Sequence, residues 1–289
     1  MYLTGFADEA AKDIDGQIKA MQTLGWKNIE SRCIDGVNIH DLPDDKFDLV
    51  AGKLEDAGIH INSFGSTIAN WSKDIQKPFD EDLAAAKRAV PRMQRLGTKL
   101  IRIMSYPVIK GRPMEDQMQA ERWRRLRILT DLFLDAGIQP VHENCANYGG
   151  MGWRYTLEIL ENVPGLKLVF DTGNPVGTFD IDHPGQRESA WDFYDHVRDH
   201  VAYVHIKDGI VDERGTKWVY CGEGWGDVKR ICSDLIAHGY DGGFSIEPHI
   251  AVVFHDKSVK SPEEVMFDTF VEYGRRMEKI LKDCGAALS

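Results

Sequence analysis

Short apolar runs alternate along this chain with longer stretches in which apolar residues recur at helical spacing. In those longer stretches, side chains such as Leu126, Leu129 and Phe133 lie three or four residues apart, on one face of a helix. Eight runs have the length and composition of buried strands, at residues 3–6, 28–31, 60–64, 100–103, 140–143, 167–171, 202–205 and 244–247. The pattern therefore predicts eight strand–helix units.

Glycines mark the ends of several of the predicted helices. Each of these glycines comes shortly before the next strand, and glycine readily adopts the left-handed conformation that closes a helix. They are Gly25, Gly58, Gly97, Gly137 and Gly239. The connections from strand to helix are longer, notably at residues 105–116, 173–185, 208–226 and 248–262.

The regular alternation of strands and helices implies parallel strands, and eight such strands can close into a barrel. We therefore predict a single (β/α)8 TIM barrel over residues 1–289, with long βα loops on its carboxyl-terminal face. A doubly wound open sheet is the alternative. However, no G-x-G-x-x-G follows the first predicted strand, and no Walker lysine loop is present.

Four successive predicted strands end in a side chain that can bind a metal ion: Glu143, Asp171, His205 and Glu247. In a closed barrel these strand ends are neighbours, and residues that point inward there converge on the barrel axis. Three carboxylates and one imidazole suit Mn²⁺, Mg²⁺ or Co²⁺, and Zn²⁺ is also compatible. Without a cation, mutual repulsion would raise the pKa of at least one carboxylate. Any one of these residues alone could equally be a cap or a rim charge.

Composition narrows the functional classes. The formal net charge of -11 argues against a basic nucleic-acid-binding surface over the whole domain. Five cysteines without a C-x-x-C pair argue against a disulfide scaffold and fit a reducing compartment. Neither a signal peptide nor an apolar run long enough to span a membrane is visible. We expect a cytoplasmic protein without nucleic-acid or membrane partners, and the long loops leave a homo-oligomer open.

Five short motifs resemble those of the xylose isomerase-like TIM barrels, also called sugar phosphate isomerases/epimerases. They are His-Glu-Asn at 142–144, Phe-Asp-Thr-Gly at 170–173, His-Ile-Lys-Asp at 205–208, Gly-Glu-Gly at 222–224 and Ile-Glu-Pro at 246–248. The resemblance implies that Glu143, Asp171, His205 and Glu247 hold one divalent ion, with Mn²⁺ the first expectation. It also implies that Glu143 and Glu247 are an acid/base pair on opposite sides of a small carbohydrate substrate.

The chemistry that the resemblance implies starts from a keto-sugar whose carbonyl and neighbouring hydroxyl chelate the metal, which stabilises an enediolate. One glutamate removes the proton beside the carbonyl, and the other returns a proton, so the reaction is an isomerisation or an epimerisation. Alternatively a leaving group departs, and the enzyme is a lyase or dehydratase acting on a keto-sugar, a keto-cyclitol or a 3-keto-glycoside. An endonuclease IV-like phosphodiesterase is a remote alternative, and a metal-free binding module is the non-enzymatic one.

Two departures from the family pattern weigh against a ketohexose 3-epimerase. Asn174 stands where many members have His, and Val211 stands where ketohexose 3-epimerases commonly have Arg. The His-Ile-Lys-Asp and Gly-Glu-Gly motifs are more similar to those of inosose dehydratase and related branches, which favours a lyase or an epimerase acting on a keto-sugar or keto-cyclitol.

Further residues are candidates on weaker grounds. Lys207 shares the strand parity of His205 and could polarise a substrate oxygen, although an ion pair is an equal alternative. His142 precedes Glu143 and could be a catalytic base, although strand alternation would turn it away. The candidate substrate contacts are Glu9, Asn144, Trp153, Asn174 and His249. A second group could have either an accessory or a purely structural role, and its members are Asp8, Glu30, Trp71, Arg102, Lys110, Arg112, Trp225 and His255.

Overall fold

The predicted barrel is present, with strands within one residue of the expected positions. The structure is a computed structural model and describes residues 1–181, 183, 185–253, 256 and 258–288. The barrel strands are β1 Tyr2–Gly5, β2 Asn28–Ser31, β3 His60–Gly65, β4 Leu100–Ile103, β5 Gln139–Glu143, β6 Lys167–Asp171, β7 Val201–Ile206 and β8 Gly243–Ile246.

All eight strands belong to one sheet, and each pairs in parallel with the strand that follows it along the chain from β2 to β8. The β8 strand also pairs in parallel with β1, as in the register of Tyr2 with Gly243. Between β1 and β2, an isolated parallel bridge joins Phe6 to Glu30. The sheet therefore closes on itself, which excludes the doubly wound alternative.

Helices surround the sheet, and their ends follow the predicted signals. Asp13 caps the first helix by accepting a hydrogen bond from the Gly16 amide. Gly25, Gly58 and Gly97 close the first three helices in the left-handed conformation. The helices are α1 Ile14–Leu24, α2 Asp44–Ala57, α3 Asp80–Leu96, α4 Gln119–Asp135, α5 Trp153–Asn162, α6 Ala190–Val197, α7 Val228–Ala237 and α8 Glu263–Asp283.

The strand pleat separates two kinds of environment. Outward residues such as Phe170, Val204 and Ile246 pack in the apolar core between the sheet and the helices. Inward residues from neighbouring strands, Val141, Val169 and Tyr203, form a small separate apolar cluster. Residues two positions further along each strand share this inward direction. The pleat therefore turns the strand-end residues after this cluster toward the barrel axis.

The segments after β6 and β7 contain structure that the sequence pattern did not predict. A short helical turn, Asn174–Gly177, follows β6. After β7 comes an antiparallel hairpin formed by Asp208–Asp212 and Gly215–Val219. Both lie on the carboxyl-terminal side of the barrel, where the candidate ligands are. Within the described residues, no helix combines the length and the apolarity that crossing a membrane requires.

Candidate metal centre and active site

The four strand-end residues meet inside the barrel mouth. Glu143, Asp171, His205 and Glu247 are all buried, and each offers one ligand atom within 4.8 Å of the others. Three carboxylates and one imidazole at this spacing form an oxygen-rich donor set that suits a hard or borderline divalent ion. The donor set therefore fits the metal ion that the sequence predicts.

The orientation of His205 supports this fit. Its Nε2 atom lies 3.0 Å from Glu30 Oε2, while its Nδ1 atom is turned toward Glu143 Oε1 at 3.6 Å. Within the described part of the chain, buried His205 Nδ1 has no hydrogen-bond partner, and buried Asp171 Oδ2 has only its ion pair with Lys207 Nζ at 3.0 Å. Buried polar atoms rarely stay unpaired in native proteins. A cation among the four side chains would satisfy both, with Nδ1 as the imidazole ligand.

Negative charge exceeds positive charge around this cluster. Ion pairs connect the cluster to three buried cations, Arg32, Arg102 and Lys207. Among the described residues, six carboxylates are joined to these cations or to His205, namely partly buried Asp8 and buried Glu9, Glu30, Glu143, Asp171 and Glu247. A divalent ion would offset most of that imbalance, which is a second physical reason to expect one.

The pKa values follow from burial and from these pairs. Burial raises the pKa of Asp171 to about 6, although Lys207 opposes the rise. Burial also favours the neutral form of Glu143, but Arg102 and His205 outweigh it and lower its pKa to about 2. Burial lowers the pKa of His205, but Glu30 and Glu143 outweigh it and raise that pKa to about 10. Carboxylate charge is therefore the dominant feature of the site.

Glu30 is expected to set the metal affinity through His205. Replacing Glu30 with Gln removes the carboxylate that faces His205 Nε2, which weakens the imidazole as a ligand. We expect the dissociation constant for Mn²⁺ to rise by roughly 10- to 100-fold, as for other outer partners of metal-bound histidines. Isothermal titration of Mn²⁺ into metal-free protein measures this change.

A matched control for Glu30→Gln is Ser63→Ala. Ser63 donates a hydrogen bond to the other carboxylate oxygen of Glu30, at 3.2 Å, and makes no contact with His205 that the structure shows. The Mn²⁺ affinity of Ser63→Ala should stay within a few-fold of the wild type. Equal affinities of Glu30→Gln and wild type would mean that His205 is not a ligand.

A cavity of about 540 Å³ opens above the cluster. This volume lies within the range of small-molecule sites, roughly 300–1,000 Å³. Side chains of the cluster and its cations belong to its polar lining, and two indoles, Trp71 and Trp218, belong to its apolar lining. The lining residues are Arg32, Trp71, Arg102, Glu143, Cys145, Ala146, Asn174, Gly177, Thr178, Lys207, Thr216, Trp218, Glu247 and His249.

Arg32 joins the first strands of the barrel to the last. Its guanidinium donates to both oxygens of Asp8, at 2.9 and 3.1 Å, to Glu9 at 3.2 Å and to Glu247 at 2.9 Å. Glu9 also accepts from the backbone amide of His249 at 2.8 Å, and its other oxygen lies 2.9 Å from His249 Nδ1. Glu247 is therefore held from two sides, by Arg32 and by Lys207 at 3.1 Å.

Asp208 organises the loop that carries the Gly-Glu-Gly motif. Its two carboxylate oxygens accept four backbone N–H bonds at 2.8–3.0 Å, from Gly209, Gly222, Gly224 and Gly226. A Cβ atom at Gly224 would lie 2.3 Å from Asp208 Oδ1, so only glycine fits there. The motif residues Asp208 and Gly222–Gly226 thus form a structural clamp at the base of the hairpin.

The structure brings some of the other predicted site residues to the cavity. Asn174 and His249 line it, as does Lys207. Asn174 donates from its side chain to Glu143 Oε1 at 3.0 Å, and its backbone amide donates to Asp171 Oδ1 at 2.8 Å. Glu9 lies behind Arg32 and His249 and is not among the lining residues. Glu9 therefore supports the side chains of Arg32 and His249.

Besides Glu9, three predicted catalytic or substrate-binding residues are not among the lining residues of the cavity. His142 points outward, where its Nε2 lies 3.0 Å from Ser105 Oγ, and burial lowers its pKa to about 4. The side chain of Asn144 exchanges hydrogen bonds with the backbone of Asp171, at 2.7 and 3.1 Å. Trp153 stacks on His196 with ring centroids 3.8 Å apart, beside a different cavity. His255 lies outside the described residues.

Sequence reasoning missed two residues of the site. Arg32 directly follows the buried strand β2, which is the same strand-end signal that revealed the four ligands. Trp218 belongs to a hairpin, and the alternating residues from Thr216 to Tyr220 resemble a strand. The pattern does not indicate where this hairpin lies relative to the barrel. Only the tertiary structure brings both residues to the cavity.

Fold and site together define a TIM barrel with three carboxylates and one imidazole at the carboxyl ends of four successive strands. The chain belongs to the xylose isomerase-like TIM barrel family, whose family model matches residues 18–269. No curated protein sequence matches this chain.

Solved structures agree on the fold. A xylose isomerase-like TIM barrel protein from Mycobacterium smegmatis in complex with magnesium has a TM-score of 0.71 at 16% identity, over 99% of this chain and 97% of that chain. The D-allulose 3-epimerase from Methylomonas sp. in complex with D-allulose has a TM-score of 0.68 at 19% identity, over 96% of each chain. The probable 3-DHS dehydratase AsbF from Bacillus anthracis, involved in petrobactin synthesis, has a TM-score of 0.70 at 15% identity, over 96% of this chain and 99% of that chain. At these identities the likeness concerns the fold alone.

Proposed function

We propose that this protein is a divalent-metal-dependent isomerase or epimerase of a sugar or keto-sugar. The observation that carries the proposal is the convergence of Glu143, Asp171, His205 and Glu247 beneath a cavity of about 540 Å³. Among the fold relatives are a sugar epimerase and a probable dehydratase, which supports chemistry of this kind without naming the substrate.

Glu143, Asp171, His205 and Glu247 would hold the ion. When bound, a divalent ion acts as a Lewis acid toward a carbonyl oxygen and makes the neighbouring C–H more acidic. Mn²⁺ is our first expectation, and Mg²⁺, Co²⁺ and Zn²⁺ are compatible with the same donor set.

Glu143 and Glu247 would move the proton. Both line the cavity, and they stand on different strands, β5 and just after β8. Arg102 holds one oxygen of Glu143 at 2.9 Å, and Arg32 holds one oxygen of Glu247 at 2.9 Å. Each carboxylate is therefore kept ionised and oriented, so that one can accept the proton beside the carbonyl. The other can return a proton only after it has taken one up from water.

Lys207 favours elimination as the second candidate function. Burial lowers the pKa of this amine, but Asp171 and Glu247 outweigh that effect and raise it, so Lys207 stays protonated. Its Nζ lies 3.0–3.1 Å from these two carboxylates and lines the cavity. A cationic donor in this place could hydrogen-bond to a departing oxygen and stabilise the negative charge that develops there, as a lyase or dehydratase acting on a keto-sugar requires.

Two measurements test the proposal. Elemental analysis of protein purified without added metal should find about one divalent ion per chain. Keto-sugars incubated in D₂O with the Mn²⁺-loaded protein should exchange the hydrogen beside the carbonyl, which proton NMR detects. Product mass then separates the candidates, because epimerisation conserves the mass and elimination loses water or an alcohol. A protein that neither contains a metal nor binds Mn²⁺ on titration would contradict the proposal.

A further inference from the structure

The hairpin after β7 places Trp218 at the cavity in a fixed position. It starts at Asp208, one residue after Lys207, and the four backbone bonds to the Asp208 carboxylate hold its base. Trp218 pairs with Gly209 across the two strands. The indole is therefore attached to a rigid part of the active-site rim.

The packing of the indole depends on the missing side chain of Gly209. A Cβ atom on Gly209 would lie 2.9 Å from Trp218 Cε3 and 3.2 Å from Cζ3, so the six-membered part of the indole lies directly against the Gly209 backbone. On other sides, His249 meets the indole edge-on, with centroids 5.6 Å apart, and Lys207 Nζ lies 5.1 Å from its centroid. These contacts fix the indole plane while leaving it half-buried at the cavity.

The cavity lining consequently combines a polar and an apolar kind of surface. Glu143, Lys207 and Glu247 provide ionised donors and acceptors, and Trp218 with Trp71 provides flat apolar surface. A six-membered polyhydroxylated ring has matching surfaces, since its hydroxyl groups point outward along the edge while its C–H bonds form apolar faces. An extended open-chain sugar has no such flat apolar face.

We propose that Trp218 determines specificity for the ring form of the substrate, by stacking against the C–H face of a cyclic polyhydroxy ketone while the polar lining binds its oxygens. That the substrate is a ketone rests on the proposed function. The preference for a ring over an open chain does not rest on it. Stacking of this sort is worth about a factor of ten in affinity.

The test compares two inert hexols that differ mainly in ring closure. Myo-inositol is a six-membered carbocycle with six hydroxyl groups, and D-glucitol is an open chain with the same number. NMR saturation transfer gives the dissociation constant of each for the wild type loaded with diamagnetic Mg²⁺. We expect myo-inositol to bind about tenfold more tightly than D-glucitol, with the strongest transfer to its C–H protons.

Variants locate this preference on the indole. Trp218→Ala should bind myo-inositol about tenfold more weakly and D-glucitol unchanged, and Trp218→Phe should lie between Trp218→Ala and the wild type. Gly209→Ala pushes on the indole from behind and should weaken the binding of myo-inositol alone. The matched control is Trp225→Ala, because Trp225 is 56% exposed on the neighbouring loop and does not line the cavity. Thermal melting shows that each variant is folded.

Equal binding of the two hexols, an unchanged preference in folded Trp218→Phe and Trp218→Ala, or no binding of either hexol would each overturn the inference. None of these results would contradict the proposed function if the wild type contains a metal ion and catalyses deuterium exchange into keto-sugars. Conversely, the wild type could prefer the ring through Trp218 and yet bind no metal. That result would contradict the proposed function but not the inference about Trp218.

Discussion

Replacing Glu247 with Gln is expected to abolish most of the activity and to lower the metal content. One Glu247 oxygen accepts from Arg32 at 2.9 Å, and the other accepts from Lys207 at 3.1 Å. A glutamine amide presents an NH₂ group to one of these two cations, so the side chain cannot keep both contacts. Under the proposed function, the variant also lacks a carboxylate ligand and one of the two proton-transfer groups.

The expected size of the effect combines these losses. Loss of one acid/base group typically costs about 10²–10⁴-fold in rate. Loss of a direct ligand should weaken Mn²⁺ binding by more than the roughly 10- to 100-fold that follows loss of an outer partner. The measurements are the rate of hydrogen exchange in D₂O at saturating Mn²⁺ and the dissociation constant for Mn²⁺ from calorimetry.

A matched control for Glu247→Gln is Glu213→Gln, an exposed glutamate between the two strands of the hairpin. It makes the same chemical change away from the cavity, and both readouts should match the wild type. Retention of wild-type exchange by Glu247→Gln at saturating Mn²⁺ would remove Glu247 from the mechanism. Retention of wild-type metal affinity would remove it from the ligand set.

Replacing Arg32 with Met is expected to cause the largest loss of stability. Arg32 is 3% exposed and pairs with buried Glu9 and Glu247 and with partly buried Asp8. Removing one partner of a buried ion pair typically costs about 3–5 kcal/mol, because the remaining charge is left without compensation. The free energy of unfolding from urea titration should fall by about this amount.

The stability of Arg32→Met should also depend on pH in a defined direction. Burial raises the pKa of Asp8 in the wild type, and Arg32 is the charge that opposes the rise. Without Arg32 this pKa rises further above the value of the unfolded chain, which is about 4. The folded state then binds more protons than the unfolded state, so stability falls as pH increases. The deficit should be small near pH 4 and should grow as the pH rises through the folded pKa of Asp8.

Two further variants complete the Arg32 experiment. Arg32→Lys keeps one charge but cannot reach three carboxylates at once, so its stability should lie between those of Arg32→Met and the wild type. Arg112→Met removes a partly exposed partner of Asp116, at 3.5 Å, and should change the free energy of unfolding by about 1 kcal/mol or less. If Arg32→Met unfolds like the wild type at every pH, the carboxylates around Arg32 carry no charge in the folded protein.

The sequence by itself determined the barrel and the four candidate metal ligands. Each strand is a short apolar run, each of the first three helices closes at a glycine, and both signals depend only on neighbouring residues, so the chain shows them directly. The ligands Glu143, Asp171, His205 and Glu247 could be found because each ends a strand, and parallel strands bring their carboxyl ends to one face. Closure of eight such strands brings these four residues together without knowledge of any loop.

Only the tertiary structure decided which other residues belong to the site. Arg32 contacts Glu247 across 215 positions of sequence, and the closing of the barrel at β1 and β2 makes that contact. Trp218, which the sequence analysis missed, reaches the cavity because the Asp208 clamp fixes the direction of the hairpin. Trp153, which the sequence analysis named instead, packs on His196 outside the cavity. The local pattern of apolar residues identifies each helix or strand. The direction of a loop depends on contacts between residues far apart in the sequence, and no local pattern contains those contacts.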